Sequence, residues 1–333
     1  MPITSGMTVV FRAAAGPRLG FGHLVRCRSL ARALGVTPRV WVRGSAVTRA
    51  AARALGCEVL PETLALGDVG AAPVLVVDDP SPTAAAAWVR RARAAGVPVC
   101  TMHDAGRRRV PADLMVDGSV NVAPVDEPAT LLGPEFAVLD PGVRSRRRAR
   151  RVPGHRRVCI ALGGGAHVFA LVPSLVAALA ARAPGLEIRV ARGFVARPGV
   201  PALATGEWLA ASQLADALAG ADVAIVAGGV TAYEACALGV PLVAVAVTAA
   251  QQPTVRALED LGAAIDGGLL RDRRSATRVA ERTAQLLTAP ATQRRLSAVG
   301  RVLVDGEGAY RVVAALRTLA ARASAVEGAT HAA

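Results

Sequence analysis

The chain has 333 residues, 53% of them hydrophobic and only 3% aromatic, and its formal net charge of +14 is carried by arginine, since no lysine occurs. That length is more than one ordinary core uses and fits two domains. Five scattered cysteines, none in a C-x-x-C pair, exclude a disulfide framework and a structural zinc clip, and the N-terminus lacks the basic and apolar regions of a signal peptide, so a reducing, cytoplasmic setting is expected.

Met7 to Phe11 is apolar and is expected to form the first strand. The stretch Gly20-Phe21-Gly22-His23-Leu24-Val25-Arg26-Cys27 follows and opens a helix to about Leu34, with Leu24, Cys27, Leu30, Ala31 and Leu34 on one face. Glycines allow close approach of a ligand, and the free N–H groups at a helix start suit an anion. His23, on the first helical turn, has two readings: a proton-transfer group working near neutral pH, or a capping and packing residue.

Val40 to Val42 reads as a strand, Thr48 to Leu55 as a helix and Cys57 to Leu60 as a short strand. The run Val74 to Val77 ends at Asp78-Asp79, the pattern of a buried parallel strand with carboxylates at its carboxyl edge. Pro82 to Ala95 is expected as a helix, Val97 to Met102 as a strand closed by His103-Asp104, and Leu114 to Val116 as a further strand. This alternation implies a doubly wound parallel sheet, in which ligands bind beyond the carboxyl ends of the strands. Gly20, Gly22, His23, Arg26, Asp78 and Asp104 are the candidate residues at those ends. Asp79, before Pro80, and Asp104, before Ala105-Gly106, also fit simple turn-starting roles.

Two arginine-rich runs stand out: Arg107 to Arg109, and Arg144 to Arg157 with eight arginines in fourteen residues. Without interleaved aromatics or a nucleic-acid motif, a solvated linker or a funnel for an anionic substrate explains them better than nucleic-acid binding. The second run contains Pro153-Gly154 and is expected to divide an N-terminal domain, 1–145, from a C-terminal domain, 155–333.

The second α/β pattern opens with strand Val158 to Leu162, then Gly163-Gly164-Gly165 and a helix from about Val168 to Arg182. Val158 to Ala181 carries no Asp, Glu, Lys or Arg, yet its glycines, His167 and Pro173 fit a strand, a turn and a buried helix rather than a membrane span. Glu187 to Val190 is a strand, Ala211 to Leu218 a helix and Asp222 to Val226 a strand. Ala227-Gly228-Gly229-Val230-Thr231 then leads into a helix through Glu234 to Leu238, ended by Gly239. The two glycines let backbone approach a diphosphate, and Thr231 opens the helix that supplies donors. Glu234 can accept both hydroxyls of a ribose or simply offset the helix dipole. Pro241 to Val247 is the next strand, followed by helices over Pro253 to Leu261, Ala276 to Leu287, Ala291 to Val302 and Tyr310 to Arg322, with a frayed tail from Ser324.

The segments Phe11-Arg12, Gly20 to Cys27 and Leu30-Ala31 resemble the N-terminal motif of the UDP-sugar hydrolase of pseudaminic acid biosynthesis and of the related spore-coat polysaccharide proteins. Leu132 to Leu139 resembles that family's mid-chain segment, Ala227 to Pro241 its nucleotide-binding motif and Asp305 to Ala309 its last helix entry. The third motif is shared with glycosyltransferases of the lipid II-forming type. The resemblance implies a GT-B architecture of two Rossmann-like domains with a cleft between them. It also implies a UDP-sugar bound mainly by the C-terminal domain, and metal-free cleavage at the anomeric carbon with no cofactor. His23 would stand near the attacking water, Glu234 would bind ribose, and Gly163, Gly164, Gly165, Gly228, Gly229, Thr231 and Gln251 would line the nucleotide side. Two departures bear on the sugar: Ala250-Gln251 stands where the family has Asn-Gln, and Pro80 follows Asp78-Asp79 where the family tends to have a tyrosine.

Three readings result: a UDP-amino-sugar hydrolase, a GT-B glycosyltransferase using a UDP-sugar donor, and a non-catalytic UDP-sugar-binding protein. No nucleic-acid partner and no membrane span are expected.

Overall fold

The computed structural model describes residues 7–16, 19–70, 73–104, 109–123, 129–149, 156–163, 166–193 and 200–331. The chain divides into two compact units: Met1–Gly16, Gly22–Asp140 and Glu307–Ala333 form the first, and Pro17–Phe21 with Pro141–Gly306 the second.

The first unit starts with β1 (Thr8–Ala14), α1 (Gly22–Leu34), β2 (Arg39–Arg43), α2 (Ala46–Ala54) and β3 (Glu58–Val59). It continues through β4 (Pro73–Asp78), α3 (Pro82–Ala94), β5 (Val99–His103), β6 (Leu114–Asp117) and β7 (Thr130–Leu132). The strands form one seven-stranded parallel sheet in the order β3-β2-β1-β4-β5-β6-β7. Val10, Trp41, Leu75, Val77 and Val99 meet Trp88 and Val89 of α3 on one face. Because β1 and β4 are buried on both faces, their sequences run apolar without alternation. The strand order reverses between β1 and β4, and a sheet of this kind opens a crevice beyond the carboxyl ends at that point.

The second unit repeats the plan. It runs through α4 (Pro141–Ala149), β8 (Arg157–Ala161), α5 (Ala166–Phe169), α6 (Val172–Arg182), β9 (Glu187–Ala191) and β10 (Glu207–Leu209). It continues with α7 (Leu214–Ala219), β11 (Val223–Ala227), α8 (Val230–Leu238), β12 (Leu242–Ala246) and α9 (Gln252–Asp260). Strand β13 (Ile265–Leu269), α10 (Arg273–Leu287) and α11 (Pro290–Leu303) complete it. Its six parallel strands lie in the order β10-β9-β8-β11-β12-β13, with the reversal between β8 and β11. Ile160, Ile188, Ile225 and Val243 pack against Leu175 and Leu179 of α6 and Val279 of α10. Side chains of that size, fully buried, contribute about 1.5–3 kcal/mol each. Gly239 ends α8 at φ +70°, the left-handed conformation expected of it. The charge-free stretch from Val158 resolves into β8, α5 and α6, and among the described residues no helix is long and apolar enough to cross a membrane.

The last helix, α12 (Gly308–His331), corrects two expectations. It packs on α1, β4 and β6 through buried Val312, Val313 and Leu316, so the C-terminal segment belongs with the first unit and not with a domain running 155–333. It also continues past Ser324 to His331, where a frayed tail was expected. The expected charged boundary is itself partly helical: α4 covers 141–149, and Arg147 donates to the carbonyls of Ala237 (3.3 Å), Val304 (2.9 Å) and Arg301 (2.8 Å). The first unit therefore ends at Asp140 rather than 145. Arg107, Arg108 and Pro153-Gly154 lie outside the described residues.

Candidate active site

The first site lies at the carboxyl edge of the first sheet, where the strand order reverses. Helix α1 begins at Gly22, which puts His23 and Arg26 on its first turns beside the ends of β4 and β5. His23 Nδ1 lies 2.7 Å from Asp78 Oδ1. Arg26 spans both carboxylates: Nε donates to Asp78 Oδ2 at 2.9 Å, Nη2 to Asp78 Oδ1 at 2.6 Å and to Asp104 Oδ2 at 3.0 Å, and Nη1 to Asp104 Oδ1. The side chain of Asp78 is 1% exposed, those of His23 and Arg26 12%, and that of Asp104 46%. The cluster is therefore closed at the sheet and open at Asp104.

Arg26 Nη2 also lies 2.8 Å from His23 Nδ1, so this nitrogen meets both an acceptor and a donor. In the tautomer that donates Nδ1–H to the Asp78 carboxylate, which only accepts, Nε2 is the basic nitrogen. No described residue hydrogen-bonds Nε2. Two carboxylates share one guanidinium, and the group is one positive charge short. Burial would lower the pKa of His23, but the charge and hydrogen bond of Asp78, helped by Asp104, outweigh it and outweigh nearby Arg26, and the pKa is raised above 6.5. Desolvation likewise works against Asp78 and Asp104, yet Arg26 and His23 hold both carboxyls below their ordinary value, Asp104 at about 2. The positive end of the α1 dipole on its own favours the neutral imidazole, and the buried Asp78 dominates it.

Neighbouring polar groups have structural partners. Asp79 is fully buried, is held by Arg43 at 2.6 and 2.5 Å and accepts from Ser81 N at 2.9 Å, so it starts the turn into α3 and braces the end of β2. His103 faces Thr101 Oγ1 at 2.9 Å. That hydroxyl donates to Val110 O at 3.0 Å, so His103 Nε2 carries the proton. Burial pushes the His103 pKa down against the pull of Asp117. All five cysteines are buried free thiols, and among the described residues no group of three His, Cys, Asp or Glu side chains could hold a metal ion.

The second site lies at the carboxyl edge of the second sheet. Gly163 follows β8 at φ +78° and is exposed, and Gly228-Gly229 follow the neighbouring strand β11. Gly164 and Gly165 lie outside the described residues. Gly228 N donates to Val245 O at 2.9 Å, and a Cβ at 228 would stand 2.7 Å from Val255 Cγ2 and 3.3 Å from Gln251 O, so only glycine fits. Gln251 closes the loop after β12: its Oε1 accepts from Val247 N at 2.9 Å and its Nε2 lies over Gly229. The structure therefore gathers Gly228, Gly229 and Gln251, with Thr231 and Glu234 half-buried on the first turns of α8. Gly229 offers α8 no side-chain cap, which leaves its first N–H groups to an incoming anion. Gly20 lies before α1 at φ +82° and is half-buried, a loop position rather than a member of the His23 cluster.

The role of Arg26 as a bridge between two carboxylates could not be read from sequence. It needs β4 and β5 to be neighbours, and nothing in the spacing of 26, 78 and 104 states that.

No protein-family model matches the chain. The spore coat polysaccharide biosynthesis protein SpsG of Bacillus subtilis (strain 168) is 35% identical over 108 residues, which is 32% of this chain and 32% of that protein. The match thus spans about a third of the curated relative. Among solved structures, spinosyn forosaminyltransferase SpnP superposes with a TM-score of 0.65 at 19% identity, covering 95% of this chain and 100% of that one. UDP-GlcNAc 2-epimerase from Neisseria meningitidis, solved bound to UDP-GlcNAc, gives 0.58 at 12% identity over 94% and 100%. The chain has the GT-B fold.

Proposed function

We propose that this protein is a nucleotide-sugar-processing enzyme, and that it is a glycosyltransferase using a UDP-sugar donor. The observation that carries the reading is the 2.7 Å contact between His23 Nδ1 and buried Asp78, which leaves Nε2 unpaired as a base. A hydroxyl of the acceptor gives its proton to Nε2 as its oxygen bonds to the anomeric carbon. The bond from that carbon to the diphosphate breaks in the same step, and UDP leaves with the electron pair. Asp78 stabilises the imidazolium that forms, and Arg26 holds Asp78 and Asp104 so that the ring keeps its orientation. The glycine edge at Gly228-Gly229 and the start of α8 are suited to the diphosphate, and Glu234 to the ribose. The neighbours of this fold support such chemistry, since a sugar transferase and an enzyme holding UDP-GlcNAc both stand among them.

A second reading is hydrolysis, with water in place of the acceptor. The resemblance of Gly20 to Cys27 to the motif of the UDP-sugar hydrolase favours it, and the same Nε2 would deprotonate water. Incubation with a panel of UDP-amino-sugars, following free UDP with and without candidate acceptors, separates the two. Acceptor-dependent release supports transfer, and equal release in water alone supports hydrolysis. No release with any donor or acceptor overturns both. The buried free thiols fit a reducing compartment such as the cytoplasm.

A further inference from the structure

Two strands outward from the Gly228-Gly229 edge, the second unit carries a cavity of about 290 Å³ that the proposed reaction does not use. Its floor is the backbone of the edge strand β13, at Asp266-Gly267-Gly268-Leu269, and its walls are Gln252 at the start of α9 and Arg271, Arg278 and Arg282. Gly267 is pressed so closely on β12 that a Cβ would stand 2.5 Å from Val245 Cγ1, and Gly268 turns the strand at φ +77°. The missing side chain at 268 lets the guanidinium of Arg278 lie across the floor, with Nε and Nη2 each 3.9 Å from where that Cβ would be. Arg278 and Arg282 are one helical turn apart on α10 and present the same face.

None of these three guanidinium groups makes an ion pair or a hydrogen bond with a described residue. The carboxylate in the lining, Asp266, is turned to its own loop, where Oδ1 accepts from Gly268 N at 2.5 Å. Nearby Asp272 accepts from Ser275 N at 2.8 Å, and its charge also acts on Arg271 and Arg278. Counting Asp266 and Asp272 against the three arginines leaves one positive charge in excess, and no guanidinium donor of the three is spent on a described residue.

We propose that this pocket is a second anion-binding site, taking a small phosphate-bearing molecule: a phosphomonoester or a diphosphate. A phosphate offers three acceptor oxygens to the arginines where a carboxylate offers two, and the guanidinium fork suits phosphate oxygens. The concave glycine floor favours a soluble ligand over a flat lipid surface, and the lining has no aromatic side chain on which a nucleobase could stack. The site lies apart from the Gly228-Gly229 edge, and the inference does not depend on the transferase reading. Gln252 joins the two, because it follows Gln251, which holds the β12–α9 loop over Gly229.

The test is calorimetric titration of the full chain with inorganic pyrophosphate in the presence of saturating UDP. One site of pyrophosphate binding is expected, weakened at least tenfold in the double variant R278Q/R282Q. A second readout needs no variant: pyrophosphate should protect Arg278 and Arg282 from phenylglyoxal, followed by mass spectrometry of the peptides. Pyrophosphate affinity unchanged in R278Q/R282Q, or no protection of these arginines, overturns the proposal. So does sedimentation with phosphatidylglycerol vesicles that needs Arg278 and Arg282 while pyrophosphate fails to bind, since that assigns the arginines to a lipid surface.

Discussion

His23 Nδ1 lies 2.7 Å from Asp78 Oδ1, although 55 residues of chain separate the two. The parallel pairing of β1 with β4 brings them together, because it sets the start of α1 beside the end of β4. Replacing His23 by Asn keeps a donor for Asp78 and removes the basic nitrogen. The turnover number should fall by about 10²–10⁴-fold while UDP affinity holds. Steady-state kinetics with circular dichroism as the folding control checks it, and near-normal turnover in H23N would leave the histidine a packing residue.

Asp78→Asn should act on both chemistry and stability. The base loses the charge that raises its pKa, so the acid limb of the rate profile should move to lower pH and turnover should fall by about 10²-fold. Arg26 keeps Asp104 but loses its buried partner, and breaking a buried pair costs about 3 kcal/mol. Denaturant melts and a pH–rate profile of the same variant measure the two effects separately.

The pKa shifts define a pH window for stability. His23 has a raised folded-state pKa, so its contribution is complete below its unfolded value of 6.5 and is lost as pH rises through the raised value. Asp78 and Asp104 are lowered from 3.8, so their contribution is complete above 3.8 and is lost as pH falls through the folded values, about 2 for Asp104. The stabilisation from this cluster should therefore be greatest between 3.8 and 6.5. Catalysis needs the neutral imidazole, so activity should rise over the alkaline range where the stabilisation declines. Thermal melts from pH 2 to 9 should show both limbs in the native protein, and H23N should lose the alkaline one. An alkaline limb that persists in H23N would assign it to another group.

Glu234→Ala tests the second sheet. The helix start and Gly228-Gly229 remain, while the ribose hydroxyls lose a charged acceptor worth roughly 1.5–3 kcal/mol. UDP affinity should fall by about 10–150-fold with little change in melting temperature. Unchanged calorimetric affinity would remove Glu234 from the nucleotide site.

Much of this was legible before any coordinates. The apolar runs ending in Asp78 and Asp104, and the glycine turn before His23, place those residues at carboxyl ends because a parallel sheet fixes direction along each strand. Gly228 was legible for the same reason, and Gln251 through the family resemblance alone. Three things were not. Strand β13 reads Ile-Asp-Gly-Gly-Leu, too glycine-rich and too short of apolar residues to stand out, so the arginine-walled cavity above it was invisible as well. Strand β10 is a three-residue edge without an apolar run. The return of α12 depends on packing against a helix almost three hundred residues earlier in the chain, and its own periodicity says only that it is buried on one side.

That return has a consequence for biosynthesis. The first unit is interrupted by the second, and its element α12 is made after the second unit. While the ribosome is still translating, at roughly 5–20 residues per second, the second unit has every one of its strands before Val312, Val313 and Leu316 emerge. The face of α1 that these side chains cover must wait uncovered through the synthesis of the intervening 166 residues, Pro141–Gly306. The inserted unit is thus expected to resist protease first on stalled nascent chains, with the half that bears His23 following only once α12 has emerged. Early resistance of the His23 half would mean that it closes without its last helix.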